Sequence, residues 1–205
     1  MACARDCDFV QNLRDRSRLE RLADFLFEVA MLRRTPRSGF QFLGKCEENV
    51  AEHSFRTAVI GHVLADLASA DAPRVVYMCL FHDLHEARTG DFNYVNRRYN
   101  HCDRTLALEH CLAGTGLRDT IMGLWDELEA NVTPEAQLAH DADQLDLMVT
   151  LKEEHDLGNP YAAKWLDCAV ERLRTDQGRQ LAAALRATDH TGWWFQGPDP
   201  GWWSG

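Results

Sequence analysis

The chain has 205 residues, 45% of them hydrophobic, which is enough for one well-buried core and short for two, so a single compact domain is expected. A formal net charge of -10 argues against a nucleic-acid polymer as main ligand, because phosphate backbones recruit a basic footprint; a small anion stays admissible where a cation or arginine reverses the field locally. Seven cysteines without a CxxC pair describe reduced thiols, the acidic N-terminus lacks a signal-peptide core and no apolar run is of bilayer length, so a soluble cytoplasmic protein is expected.

The periodicity is helical almost throughout, with no convincing alternation of a strand. From Leu19, the residues Leu22, Ala23, Leu26, Val29 and Ala30 mark one face, and the pattern stops at Thr35-Pro36, where the residue before proline leaves the helical region. A glycine-containing loop follows over 38–49. The next helix begins near His53, buries Val59, Ile60, Val63, Leu64 and Leu67, and ends around Ala70-Asp71-Ala72. Pro73 opens a third helix in which Val75, Cys79, His82 and Glu86 share one row and Val76, Leu80 and Asp83 the next, with Gly90 as its stop and Asp91 just beyond. Amphipathic segments run over 104–113 and 117–129. Thr133-Pro134-Glu135 then starts a long helix with the core row Leu138, Ala142, Leu145 and Val149, and Asp143 beside that row. A last helix over 161–187 leads to a tail bearing Trp193-Trp194 and Trp202-Trp203, whose rings read as packing or dimer contacts. The expectation is an all-α, single compact helical bundle over 19–190, with an N-terminal segment 1–18 and a Trp-rich tail 191–205.

An adjacent His and Asp inside an apolar helix are costly to bury unless something satisfies the imidazole lone pair and the carboxylate charge, and a bound cation does both. His82-Asp83, with His53 upstream and Asp143 downstream, would supply two imidazoles and two carboxylates once three helices pack about a shared pocket. Such a borderline donor set suits manganese, iron, cobalt, nickel or zinc. Glu86, four residues after His82 and three after Asp83, shares their helical face and can reach water at the ion. Asp141 and Asp146 are less suited as ligands, and Asp146 is a candidate hydrogen-bond partner for a metal-binding histidine. His62, His85, His101, His110, His140, His155 and His190 read as structural or surface residues.

The pattern His53, His82-Asp83, Asp143 resembles the HD-domain metal-dependent phosphohydrolases. The fuller strings Glu48-Asn49-Val50-Ala51-Glu52-His53-Ser54, His82-Asp83-Leu84-His85-Glu86-Ala87-Arg88-Thr89-Gly90-Asp91 and Ala142-Asp143-Gln144-Leu145-Asp146 resemble its 5'-deoxynucleotidase branch. The resemblance implies an HD-domain helical bundle, often a homodimer, that removes the 5'-phosphate of a nucleoside monophosphate with one divalent metal. Cobalt or manganese is expected first, with iron, nickel, zinc or magnesium as alternatives. It also implies that His53, His82, Asp83 and Asp143 are the metal ligands and Glu86 and Asp91 the catalytic or substrate-orienting carboxylates. Arg34 of the Arg-x-Pro string would bind the phosphate, with Arg33 beside it able to take its place. Thr35 stands where the best-known bacterial members have a tryptophan implicated in choosing deoxyribose. On this reading water activated by the ion attacks phosphorus in line, and Glu86 or Asp91 handles the proton. The alternatives are a phosphatase for another phosphorylated metabolite or a biosynthetic nucleotide, a di-iron HD-domain oxygenase using His85, His101, His110 or His140, and a non-catalytic scaffold.

Overall fold

The computed structural model describes residues 11–13, 15–44 and 48–195, and every regular element among them is helical. The readings of Trp202-Trp203 and of most of the segment before residue 18 lie outside the described residues. Helix α1 (Arg18–Val29) starts at a reciprocal cap in which Ser17 Oγ accepts from the Glu20 amide and the Glu20 carboxylate accepts from the Ser17 amide. It tightens into a 3-10 turn over Ala30–Arg34, and a second 3-10 turn, Ser38–Leu43, follows Pro36. Helix α2 (Val50–Ala68) is capped by Asn49 and Glu52 in the same reciprocal way, so it begins three residues earlier than the apolar pattern suggests and His53 falls in its first turn. The amides of Arg37 and Val50 donate to the carbonyls of Glu48 and Thr35, which closes the intervening loop at its base.

Helix α3 (Ala72–Phe81) ends one residue before the His-Asp pair. The sequence places that pair inside a continuous helix; in the structure His82 to His85 form a turn, and α4 (Glu86–Thr89) is a separate helical turn. The amides of Leu84 and Glu86 reach back only three residues, to the carbonyls of Phe81 and Asp83, and this tighter winding buries Leu84 in the core. Then come α5 (Asn96–Tyr99), α6 (Arg104–Leu112), α7 (Arg118–Ala130) and the long α8 (Pro134–Asp156), capped by Thr133. The expected final helix is two, α9 (Ala162–Val170) and α10 (Asp176–Ala187), before the short α11 (Gly192–Phe195). Asp141 on α8 sets the break: its carboxylate accepts from the amides of Arg174 and Thr175, both at 2.8 Å, and from Thr175 Oγ1 at 2.6 Å.

The core has two clusters. One gathers Leu64, Val75, Met78, Cys79, Leu138, Leu145 and Met148 where α2, α3 and α8 meet. The other gathers Phe25, Leu32, Val50, Leu84, Leu108 and Trp125 under α1, α6 and α7. On α2 the side chains expected inside, Val59, Val63 and Leu67, are instead exposed together with Phe55. The inward face is made of Ala58, Gly61, Leu64 and Ala65, because α3 passes so close that a Cβ at Gly61 would lie 2.7 Å from Cys79 Sγ. No helix among the described residues is long and apolar enough to cross a membrane.

Candidate metal centre and substrate cleft

The two core clusters join where α2 begins and α3 ends, and there the structure brings together His53, His82, Asp83 and Asp143. The Nε2 atoms of His53 and His82 are 3.1 Å apart. Asp143 Oδ1 lies 3.2 Å from His53 Nε2 and 3.9 Å from His82 Nε2, and Asp83 Oδ2 lies 3.5 Å and 3.1 Å from the same two atoms. Each ring is oriented through its other nitrogen. His82 Nδ1 is 2.7 Å from the Cys79 carbonyl oxygen, which can only accept, so Nδ1 carries a proton and Nε2 is the atom left to meet a cation. His53 Nδ1 is 2.6 Å from Asp146 Oδ2, which gives Asp146 the partner role read from the sequence. Two imidazole nitrogens facing each other at this distance, with Asp143 Oδ1 in mutual reach and Asp83 Oδ2 beside them, fit a divalent cation of the manganese-to-zinc series.

The electrostatics show a centre that demands positive charge, which a proton supplies in the metal-free chain and a bound cation would displace. Burial and Arg37 oppose a charge on His53, yet hydrogen bonds with Asp143, Asp146 and Asp83 hold its pKa well above the usual histidine value. Burial opposes ionisation of Asp143, while hydrogen bonding to His53 and the charges of His53, His82 and Arg37 hold its carboxyl well below the usual range. Arg37 projects into the centre, with Nη1 3.3 Å from Asp83 Oδ2 and Nη2 4.0 Å from Asp143 Oδ1. Glu86 is the opposite case. It is 3% exposed, its Oε2 has no hydrogen-bond partner, and burial together with the charges of Asp83 and Asp91 pushes its carboxyl up to about 10. Gly90 leaves α4 with φ of 73°, a conformation that favours glycine, and the chain turns so that Asp91 Oδ2 accepts from the Ser38 amide at 2.8 Å.

A cleft of about 170 Å³ runs from this centre to an aromatic end. Arg37, Asp83, Asp91 and Asp143 line the first part; Phe40, Phe92, Tyr94, Leu147 and Trp165 line the second. Tyr94 and Trp165 meet edge to face at 6.3 Å. The Arg172 guanidinium lies 5.2 Å from the Tyr94 ring centre, and its Nη1 donates to Tyr94 Oη at 2.5 Å and to Gln144 Oε1 at 3.4 Å.

Comparison with known proteins agrees with this geometry. A family model described as HD domain matches residues 29–184. The chain belongs to the HD domain family. Among curated HD-domain relatives, the Danio rerio protein named 5'-deoxynucleotidase HDDC2 is 30% identical over 149 residues, covering 69% of this chain and 74% of the relative. The human protein of that name is 29% identical over 142 residues, covering 66% and 69%. A solved structure of a Pyrococcus horikoshii protein is 27% identical with a TM-score of 0.66, over 80% of this chain and 96% of that one.

Within this HD domain several expected residues stand elsewhere. Arg34 is exposed, with Nη1 3.8 Å from Met31 Sδ, and does not line the cleft; Arg33 is exposed as well. Three arginines line the cleft, Arg37, Arg97 and Arg172; the one from this segment is Arg37, on the other side of Pro36, because the 3-10 turn that ends at Arg34 presents its last residues to solvent. Thr35 is buried, donates to the Met31 carbonyl and does not line the cleft, where the aromatic of this segment is Phe40. Asp141 serves the break between α9 and α10. His85, His101, His110 and His140 belong to none of the clusters of three or more converging ligand atoms among the described residues. His85 packs on Trp125 at 5.1 Å, and burial pushes its pKa down to about 4. Trp165 and Tyr94 escaped the sequence reading, since no spacing rule links aromatics on separate elements.

Proposed function

We propose that this chain is a metal-dependent phosphomonoester hydrolase that removes the 5'-phosphate from a nucleoside monophosphate, deoxynucleotides foremost. One observation carries the reading: a cation-demanding His and Asp centre opens through Asp83 and Asp143 onto a single cleft that also holds arginines and an aromatic wall. The names of the curated relatives, 5'-deoxynucleotidase, support the same substrate class.

His53, His82, Asp83 and Asp143 hold the ion, with cobalt or manganese as the first candidates. When bound, a divalent ion supplies an acidified water and neutralises phosphoryl charge. Arg37 aligns two phosphoryl oxygens beside Asp83 and Asp143 in place of the expected Arg34. Asp91, fixed by the Ser38 amide, accepts the proton of the attacking water as the new P–O bond forms. Glu86 lines a neighbouring pocket that shares Asp83, Phe92 and Arg97 with the cleft; as the buried carboxylic acid next to the centre it donates a proton to the sugar oxygen as the old P–O bond breaks. Tyr94 and Trp165 stack or cradle the base, and Phe40 lies against the sugar.

The exposed row Phe55, Val59, Val63 and Leu67 on α2 supports a homodimer, and the free cysteines, including buried Cys79 and Cys111, fit a reducing cytoplasm. Phosphate release over a panel of ribo- and deoxyribonucleoside monophosphates and sugar phosphates, each with added manganese, cobalt, magnesium or zinc, tests the function. Deoxynucleoside monophosphates should be cleaved in a chelator-sensitive way; cleavage of sugar phosphates alone would replace the nucleotide by another metabolite.

A further inference from the structure

We propose that Arg56, held by Glu48 and Thr150, is a positioning residue that sets metal affinity by acting through Asp146 on His53. The inference rests on the metal-centre reading above. His53 is fully buried, and its Nδ1 partner Asp146 is 1% exposed, so the direction of the Asp146 carboxylate decides the plane of the ring and the aim of Nε2. One carboxylate oxygen faces His53, and the other accepts from Arg56 Nε at 2.5 Å. Arg56 Nη2 then donates to Thr150 Oγ1 at 2.7 Å and to Glu48 Oε1 at 3.0 Å, and Thr150 Oγ1 donates to Glu48 Oε2 at 3.0 Å. The guanidinium is therefore clamped from both sides before it meets Asp146.

The chain position of each member explains why the device works. Arg56 lies one turn after His53 on α2, Thr150 one turn after Asp146 on α8, and Glu48 stands just before the Asn49 cap of α2. Ligand and support thus sit on the same two helices in the same order, so a shift of α2 against α8 moves both together. A planar fork is required, because three acceptors in two directions are served at once; an ammonium reaches Asp146 but cannot keep Glu48 and Thr150 in the same geometry. The network opens on a cavity lined by Phe40, Leu43, Glu52 and Glu153; Phe40 also lines the substrate cleft, whereas Arg56, Thr150 and Glu48 do not. The direct hydrogen-bonded route from Arg56 to the centre is through Asp146 and His53.

The test is a chelator-competition titration of the full metal-free chain with Mn2+, read as a dissociation constant independently of turnover. Arg56→Met should weaken Mn2+ binding about 10- to 100-fold, Arg56→Lys by an intermediate factor, and Thr150→Val, which deletes one hydroxyl, by a smaller factor in the same direction. In an Asp146→Asn background, Arg56→Met should add little, since its route to His53 is already cut. Unchanged Mn2+ binding in Thr150→Val and Arg56→Lys, or a loss from Arg56→Met that adds in full to that of Asp146→Asn, would overturn the proposal and leave Arg56 as a tie between helices. Should Arg56→Met fail to fold, Thr150→Val and Arg56→Lys decide. A wild-type chain that binds no divalent ion overturns the metal reading and this inference with it; tight wild-type binding with unaltered variants overturns this inference alone.

Discussion

Gly61→Ala tests how closely the metal centre depends on helix packing beneath it. A Cβ at this position of α2 would sit 2.7 Å from Cys79 Sγ and 3.1 Å from Val75 Cγ1, against a comfortable carbon contact of about 3.5 to 4 Å. Roughly an ångström must therefore open between α2 and α3. Forced overpacking of a filled core costs about 1–3 kcal/mol. Alanine in place of a helical glycine returns about 1 kcal/mol, so the net loss is about 1 kcal/mol, or some 2–4 °C in Tm for a chain of this size. The strain also reaches the site, because Cys79 carries the carbonyl that holds His82 Nδ1 at 2.7 Å, and Mn2+ affinity should fall with stability. Cys79→Ala removes the offending sulfur at a cost of about 1 kcal/mol on its own, the range for deleting one buried heavy atom. The double variant should then be more stable than the sum of the singles by about 1 kcal/mol and regain part of the Mn2+ affinity. Chemical denaturation and Mn2+ titration of the four proteins supply the cycle. A Gly61→Ala protein more stable than wild type by the helix-propensity term alone, or a strictly additive cycle, would refute the close-packing argument.

Three further outcomes follow from the site. Glu86→Gln, isosteric but unable to donate an acidic proton, should keep Mn2+ affinity within about threefold while kcat falls about 10²–10⁴-fold; parallel loss of metal would make Glu86 a ligand instead. Arg37→Met should raise KM for monophosphates about 10- to 100-fold, the worth of one charge-assisted hydrogen bond at about 1.5–3 kcal/mol, whereas Arg34→Met should leave steady-state kinetics unchanged; the reverse order would return the phosphate to Arg34. Added Mn2+ at about 1,000 times its Kd should stabilise the chelated wild-type chain by about 4 kcal/mol in a thermal melt. Asp83→Ala should abolish that rise, and a persistent rise would take Asp83 out of the centre.

Residue type made the centre legible, and local geometry hid its surroundings. A histidine next to an aspartate in an apolar run, with one more of each far away, is informative because burial without a cation is so unfavourable, and those four side chains do meet. The same apolar rhythm misplaced the pair within a helix, since a turn wound with three-residue hydrogen bonds keeps nearly the same row of side chains as one wound with four. Neither proline nor glycine marks the break between α9 and α10; Asp141, more than thirty positions upstream, supplies the acceptors that let the amides of Arg174 and Thr175 leave the helix, and that is visible only when α8 is beside them. The arginines flanking Pro36 illustrate the general limit. Arg34 and Arg37 are chemically identical, yet of the two only Arg37 lines the cleft, next to the Ser38 amide that donates to Asp91. Spacing reports which side chains one element can offer, while the hydrogen bond made by a different element decides which of them is used.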